Sequence, residues 1–139
     1  MNTFKIIVVL IICLASSVAW AGEKAAHQAK AELFFKTVME GQVDRAYDKL
    51  LEGSPIKQKT QAVTLLKKQT SVALAIYGKL LGFEFIKQEN YGNSIVRLVY
   101  ILKCEQVPLT WEFYFYKPKT NWILVNIKFN DQYDLLADK

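Results

Sequence analysis

Ser94-Ile95-Val96-Arg97-Leu98-Val99-Tyr100-Ile101-Leu102-Lys103-Cys104, Leu109-Thr110-Trp111-Glu112-Phe113-Tyr114-Phe115-Tyr116 and Trp122-Ile123-Leu124-Val125-Asn126-Ile127-Lys128-Phe129 follow one another in this chain. All three are rich in β-branched and aromatic residues, which fit a pleated, half-buried surface. Turn-forming segments part them: Glu105 to Pro108, then Lys117 to Asn121 with Pro118. Phe83 to Lys87 precedes them as a fourth apolar run, and Asn90-Tyr91-Gly92-Asn93 supplies the turn between. The pattern predicts a four-stranded antiparallel meander joined by hairpins. Asn130-Asp131 breaks the last strand, and a polar tail follows.

Upstream of Gly82 the apolar period changes from two to about 3.6. Ala26, Ala29, Leu33, Phe34 and Val38 share one face of a helix over Ala25 to Glu40, which Gly41 stops. Val43, Ala46, Tyr47, Leu50 and Leu51 do the same over Val43 to Leu51, closed by Gly53. Ser54-Pro55 reads as an N-cap with proline in the first helical position. A long helix is expected from there to about Leu81, with Ile56, Val63, Leu66, Ala73, Ile76, Tyr77 and Leu80 recurring at helical spacing. Helices followed by strands make an α+β domain, with about three N-terminal helices packed on one face of a four-stranded antiparallel sheet.

Residues 1–21 have the three parts of a secretory signal. Lys5 charges the start, Ile6 to Ala15 is an unbroken apolar run, and Ala19-Trp20-Ala21 is a cleavage signal before Gly22. The apolar run is shorter than the ~20 residues a spanning helix needs. Removing 21 of the 139 residues leaves 118, one domain over 22–139. Without Lys5 the formal charge falls from +5 to +4. The cations are scattered singly or in pairs, Lys67-Lys68 being the longest run, which describes a solvated surface and no nucleic-acid stripe. Cys13 leaves with the signal, so Cys104 is a lone thiol without an internal disulfide partner. A single His, His27, and no Cys/His cluster leave no metal site of that type, and no cofactor motif is present. The reading is of an exported protein, periplasmic in the first instance and extracellular in the second, with no stable membrane span after cleavage.

The element order resembles that of the nuclear transport factor 2-like superfamily. The features that carry the resemblance are the Phe34-Phe35 opening helix, the Gly41 break before Val43 to Leu51, and the aromatic strands from Trp111 to Tyr116 and Asn121 to Leu124. It covers nearly all of residues 25–130 and rests on element order and texture. It implies a cone in which a curved sheet wraps a long helix, and it looks like the small exported members without an assigned role. Many such domains dimerise through the outer sheet face; the enzymes among them place an acid or base inside the cone.

Alternation sorts the strand residues by face. One face carries Val96, Leu98, Tyr100, Leu102 and Cys104, then Leu109, Trp111, Phe113 and Phe115, then Ile123, Val125, Ile127 and Phe129. Being apolar, it should meet the helices. The expected rows are Leu98–Phe115–Ile123, Tyr100–Phe113–Val125, Leu102–Trp111–Ile127 and Cys104–Leu109–Phe129. Lacking an acid or base, this face offers an apolar pocket whose candidate lining is Tyr77, Tyr100, Trp111 and Phe113. A carboxylate would have to come from elsewhere, with Glu40, Asp44, Asp48 and Glu84 the candidates. Arg45 and Lys49 beside Asp44 and Asp48 make a solvated face the better reading. His27 is expected to be exposed near the start of the first helix, and Cys104 to be buried and inert.

The outer face carries the interface candidates Arg97, Val99, Tyr114, Tyr116, Trp122 and Leu124, with Arg97 stacked between Tyr116 and Trp122. The first functional expectation is an exported noncatalytic module that binds another exported protein or a second copy of itself through this face. The second is a carrier of an apolar small molecule or lipid between helix and sheet. The third is an isomerase- or hydrolase-like enzyme, which ranks last because it needs a buried carboxylate with a raised pKa.

Overall fold

The chain runs through two helices, α1 (Ala26–Met39) and α2 (Val43–Leu50), a single 3-10 turn (Pro55–Gln58) and a third helix, α3 (Thr60–Tyr77). Four strands follow: β1 (Leu80–Tyr91), β2 (Ile95–Cys104), β3 (Leu109–Tyr116) and β4 (Ile123–Asn130), with a 3-10 turn at Asp134–Leu136 after them. The computed structural model describes residues 24–137; the signal segment expected at 1–21, with Cys13, lies outside the described residues. The sheet is an antiparallel meander in the order β1-β2-β3-β4, curved and open, with the helices on the N-terminal side. The α+β class expected from the sequence is therefore the observed one.

Helix α1 buries His27, Ala31, Phe34, Phe35 and Val38, one stripe at spacings of three and four. Leu33, placed on that face by the sequence reading, stands in solvent instead. Gly41 takes a positive φ of 77°, which lets the chain reverse tightly into α2. Tyr47 of α2 and Thr70 of α3 share a buried hydrogen bond of 2.7 Å, and Thr70 Oγ1 also lies 2.9 Å from the Leu66 carbonyl.

The long helix expected from Pro55 to Leu81 is shorter and broken. Ser54 caps as expected, its hydroxyl accepting from Ile56 N–H at 3.2 Å, but it starts only a 3-10 turn. Lys59, at φ −86° and ψ 68°, departs from helical geometry and separates that turn from α3. The far end stops at Gly78, four residues before the expected Gly82, with φ 85°. There Gln106 N–H and Glu105 N–H donate to the carbonyls of Tyr77 and Lys79, tying the β2–β3 loop to the end of α3. A Cβ on Gly78 would meet Glu105 at 3.3 Å, so this junction needs glycine twice over. Leu80 and Leu81 accordingly open a β1 of 12 residues, far longer than Phe83 to Lys87.

The registers differ from the expected ones in two ways. Between β2 and β3 the pairs are Leu98–Phe113, Tyr100–Trp111 and Leu102–Leu109, two residues away from the expected rows. The ladder closes at Leu102–Leu109, so Lys103 and Cys104 join Glu105 to Pro108 in a connection two residues longer than expected, while Cys104 pairs only with Leu80 of β1. An even slip leaves the faces unchanged. Between β3 and β4, a bulge falls between Tyr114 and Phe115 and skips Val125. Phe113–Ile127 and Trp111–Phe129 keep their expected faces, whereas Phe115 now pairs with Leu124. The extra residue inverts the start of β4, so Leu124 enters the core at 0% exposure and Val125 leaves it at 37%.

Around α1 the core is an aromatic cluster. Phe34, Phe35, Tyr100, Trp111 and Phe113 are fully buried, with neighbouring ring centroids 5.2–6.2 Å apart. Phe129 stacks on Trp111 at 4.5 Å. Such pairs add about 0.5–1.5 kcal/mol each beyond the area they bury.

Candidate functional site

Three regions carry the residues in question: the outer sheet face, the helix–sheet interior and the free side of α3.

On the outer face, β2 places Arg97 between a carboxylate on each neighbouring strand. Arg97 Nη1 lies 2.5 Å from Glu89 of β1, and its Nε and Nη2 lie 2.7 and 2.6 Å from Glu112 of β3. Tyr91 donates to Glu89 at 2.9 Å and Tyr114 to Glu112 at 3.0 Å, while Lys87 sits 3.3 Å from Glu89. The Arg97 bond, helped by the Tyr91 hydroxyl, holds the Glu89 carboxyl down at about 2. Charge-assisted bonds of this length are the strong kind. A carboxylate so acidic stays ionised, is a feeble base, and has no proton to give near neutrality.

The segment after β4 turns back over this face. Thr110 donates towards the carbonyls of Asn130 and Gln132, and Tyr133 donates to the Pro108 carbonyl at 3.1 Å. Asp134, Leu135 and Ala137 then form one wall of an open cleft of about 560 Å³, with Lys87, Glu89, Tyr91 and Arg97 opposite.

The six interface candidates do not share one free surface. Val99 is on the outer face but is 0% exposed, and Leu124 lies in the core. Trp122 is on the helix side, 5.1 Å from the His27 ring, with the Lys117 ammonium 5.0 Å above it. The expected Arg97 stack between Tyr116 and Trp122 gives way to the two carboxylates, because the register slip puts Arg97 opposite Tyr114. The outer cation–π contact is instead Lys128 over Tyr114 at 5.6 Å. Tyr116 is the one large ring of the six that stands in solvent.

Of the interior candidates, Tyr100, Trp111 and Phe113 come together and pack directly against Phe34 and Phe35. Tyr77 does not join them; its hydroxyl donates to Asp131 at 3.0 Å near the end of α3. The Tyr100 hydroxyl and the Trp111 indole N–H are buried without a hydrogen-bond partner among the described residues. Burial, reinforced by the negative Glu32, pushes the Tyr100 phenol well above its usual range. Glu32 of α1 is the one inward-leaning carboxylate of the helices, and sequence reasoning missed it. Its side chain is nearly buried and is held by Lys24 and Gln28. Glu40, Asp44, Asp48 and Glu84 are all exposed, with Asp48 2.8 Å from Lys67 and Glu84 3.0 Å from Lys103.

His27, expected in solvent, is buried between Phe115, Trp122 and Gln88, because the start of α1 closes over the ends of β3 and β4. Burial lowers its pKa, and the Gln88 contact opposes this only in part. Cys104 is buried as expected, and burial raises its pKa. Among the described residues, no group of three or more His, Cys, Asp or Glu could hold a metal ion, and no helix is long and apolar enough to cross a membrane.

The free side of α3 was not singled out from sequence, and Ile76, grouped there with Val63, Leu66, Ala73 and Tyr77, stands apart from them in solvent. Leu65, Val72 and Ile76 are 54%, 49% and 58% exposed, although they sit in a regular helix beside the core. Thr70 is the only fully buried residue of that helix. Shallow depressions follow it: one of about 270 Å³ against Val125 and Ile127 of β4, one of about 310 Å³ between Leu65 and Tyr77. Between Gly53 and Glu84 the chain carries Lys57, Lys59, Lys67, Lys68 and Lys79 and no Asp or Glu. Lys67 is bonded to Asp48 of α2; among the described residues Lys59 and Lys68 make no salt bridge. The clue in the sequence was this one-signed stretch of 30 residues, hidden by a scattered charge pattern overall.

Comparison with known proteins gives no matching family model, no matching curated protein and no matching solved structure.

Proposed function

We propose that this chain is an exported, noncatalytic interaction domain of the nuclear transport factor 2-like type, which engages an anionic partner through the free side of α3. The observation that carries the reading is the pairing of exposed Leu65, Val72 and Ile76 with a lysine-only stretch of chain. Exposed apolar patches on a small domain mark interaction sites, and one-signed charge selects a partner of opposite sign. The noncatalytic part is supported by the filling of the Trp111 face with aromatic rings. Export is supported by the signal-like reading of residues 1–21.

The test is salt elution from an immobilised sulfated polysaccharide. A Lys59→Gln/Lys68→Gln variant is expected to elute at clearly lower salt than a Lys36→Gln/Lys119→Gln variant of equal charge. Equal elution would remove α3 as the contact face.

One observation favours the carrier reading: the buried Tyr100 hydroxyl and Trp111 N–H lack a hydrogen-bond partner among the described residues. An apolar molecule with a polar end would satisfy them. Native mass spectrometry of the protein recovered from its export compartment separates the readings. The bare mass is expected for the interaction domain, and a lipid-sized adduct for the carrier.

A further inference from the structure

Resting on that reading, we infer that the anionic partner of α3 is a phospholipid bilayer surface, on which the helix lies with Leu65, Val72 and Ile76 sunk among the acyl chains and Lys59 and Lys68 at the headgroups. These three aliphatic residues are spaced by seven and four positions. At 3.6 residues per turn they fall within an arc of about 40° and run about 16 Å along the axis. The stripe is thus straight, parallel to the helix and roughly opposite the face that carries Thr70. Helix α3 is apolar on two sides, and only one has a partner within the fold. Lys68 borders the stripe, and Lys59 lies at the N-terminal end of the same helix.

The charge decides between occupants. A second copy docking isologously would bring Lys59 and Lys68 of both protomers onto one contact, and like charges juxtaposed in an interface are repelled. The shape decides further. A folded acidic protein needs about 800 Å² of complementary surface on each partner, whereas this stripe is one residue wide and its depressions are open. Shallow burial of one apolar helix side, assisted by lysines at anionic headgroups, is the geometry of an interfacial helix. The nearest carboxylates do not oppose it. Asp44 and Asp48 flank Lys67 on the α2 side, and Asp131 and Glu105 sit beyond the C-terminal end of α3, bonded to Tyr77 and Lys79 N–H.

The experiment is co-sedimentation of the processed protein with vesicles of phosphatidylcholine and phosphatidylglycerol in a 3:1 ratio, against pure phosphatidylcholine, at low and high salt. Binding to the anionic vesicles alone is expected, weakening with salt. Lys59→Gln/Lys68→Gln should reduce partitioning about 25-fold, at about fivefold for each lysine. Leu65→Ser/Ile76→Ser should reduce it at least tenfold while leaving elution from the sulfated polysaccharide nearly unchanged. Urea midpoints within error of wild type would show that both variants are folded, and Val72→Ser gives a single-site control if the double serine variant unfolds. Vesicle binding indifferent to these variants would overturn the inference. So would a dimer in sedimentation equilibrium that Ile76→Ser dissociates, since the stripe would then belong to a second copy. Lysine-dependent polysaccharide retention without vesicle binding would overturn the bilayer and leave the anionic-partner reading standing; loss of both would remove both.

Discussion

Replacing Leu124 and Val125 separately by alanine tests the inversion at the start of β4. The bulge opposite Phe115 turns Leu124 into the core at 0% exposure and leaves Val125 at 37%. Plain alternation from Ile127 would do the opposite. Leu124 lies over Phe115, and its carbonyl accepts a 2.5 Å bond from the Ser54 hydroxyl, which holds the backbone in place and limits collapse around a truncated side chain. Leu124→Ala should therefore cost about 3 kcal/mol, mid-range for a buried leucine whose site relaxes only partly. Val125→Ala removes two methyl groups from a solvent-facing position and should stay within about 0.5 kcal/mol. Urea unfolding followed by tryptophan fluorescence reads the difference, since an unchanged slope confines the effect to stability. For a domain of this size the Leu124 variant should also melt roughly 10 °C lower. Equal losses, or a larger loss at Val125, would refute the bulge and return β4 to simple alternation.

The remaining predictions concern charge and packing. Glu89 is held at about 2 by Arg97 and Tyr91, so its ion pair contributes fully above the ordinary carboxylate range and is lost as pH falls from about 4.5 towards 2. Glu89→Gln should flatten that part of an acid-unfolding curve, by about 1 kcal/mol after allowance for solvent screening; an unchanged acid limb would show that the network adds nothing. His27 is the opposite chemical type with the same sign: buried and neutral, with a lowered pKa, it gives stability that is complete above about 6.5 and declines below it as the unfolded chain takes up protons first. His27→Gln should remove the slope between pH 6.5 and 5, which equilibrium unfolding at stepped pH would detect. Trp111→Ala empties the centre of the aromatic cluster and should cost about 3–5 kcal/mol, with loss of near-ultraviolet dichroism and of any cooperative melt in a marginal background; a change below 1 kcal/mol would mean that the cluster is loosely packed.

Helices α1 and α2 and strand β3 were legible because their signals are local. Gly41, the Phe34-Phe35 pair and the eight residues from Leu109 to Tyr116 need no knowledge of distant partners. What failed depended on contacts between elements far apart in sequence. The end of α3 is set by Glu105 and Gln106 bonding back to the Lys79 and Tyr77 carbonyls, which no periodicity within 55–81 encodes. The β2–β3 connection is likewise two residues longer than the Glu105 to Pro108 turn signal, which shifts that register by two. His27 looked exposed because the residues that bury it, Phe115 and Trp122, come from the far end of the sheet. The inner pocket candidates Tyr100, Trp111 and Phe113 were brought together because an even slip preserves faces. Two of the outer candidates, Trp122 and Leu124, were placed on the wrong side because a single bulged residue reverses faces.

The two kinds of charge in the molecule also explain why attention moves from the sheet to α3. The outer face looked interactive because it mixed Arg97 with tyrosines, but its cation is saturated: Glu89 and Glu112 accept from it on both sides, and the segment from Asn130 to Ala137 folds over part of what remains. A guanidinium satisfied within its own chain would have to break those bonds before offering itself to a partner, and half-buried carboxylates left behind would be costly. Lys59 and Lys68 face no such requirement, since they make no salt bridge among the described residues and the stretch around them carries no Asp or Glu. Nor do Leu65, Val72 and Ile76, whose transfer from water is favourable at about 25 cal/mol per Å² without any rearrangement of the fold. Surface that is both uncommitted and uphill in water is where association lowers free energy first, and the free side of α3 is such a surface.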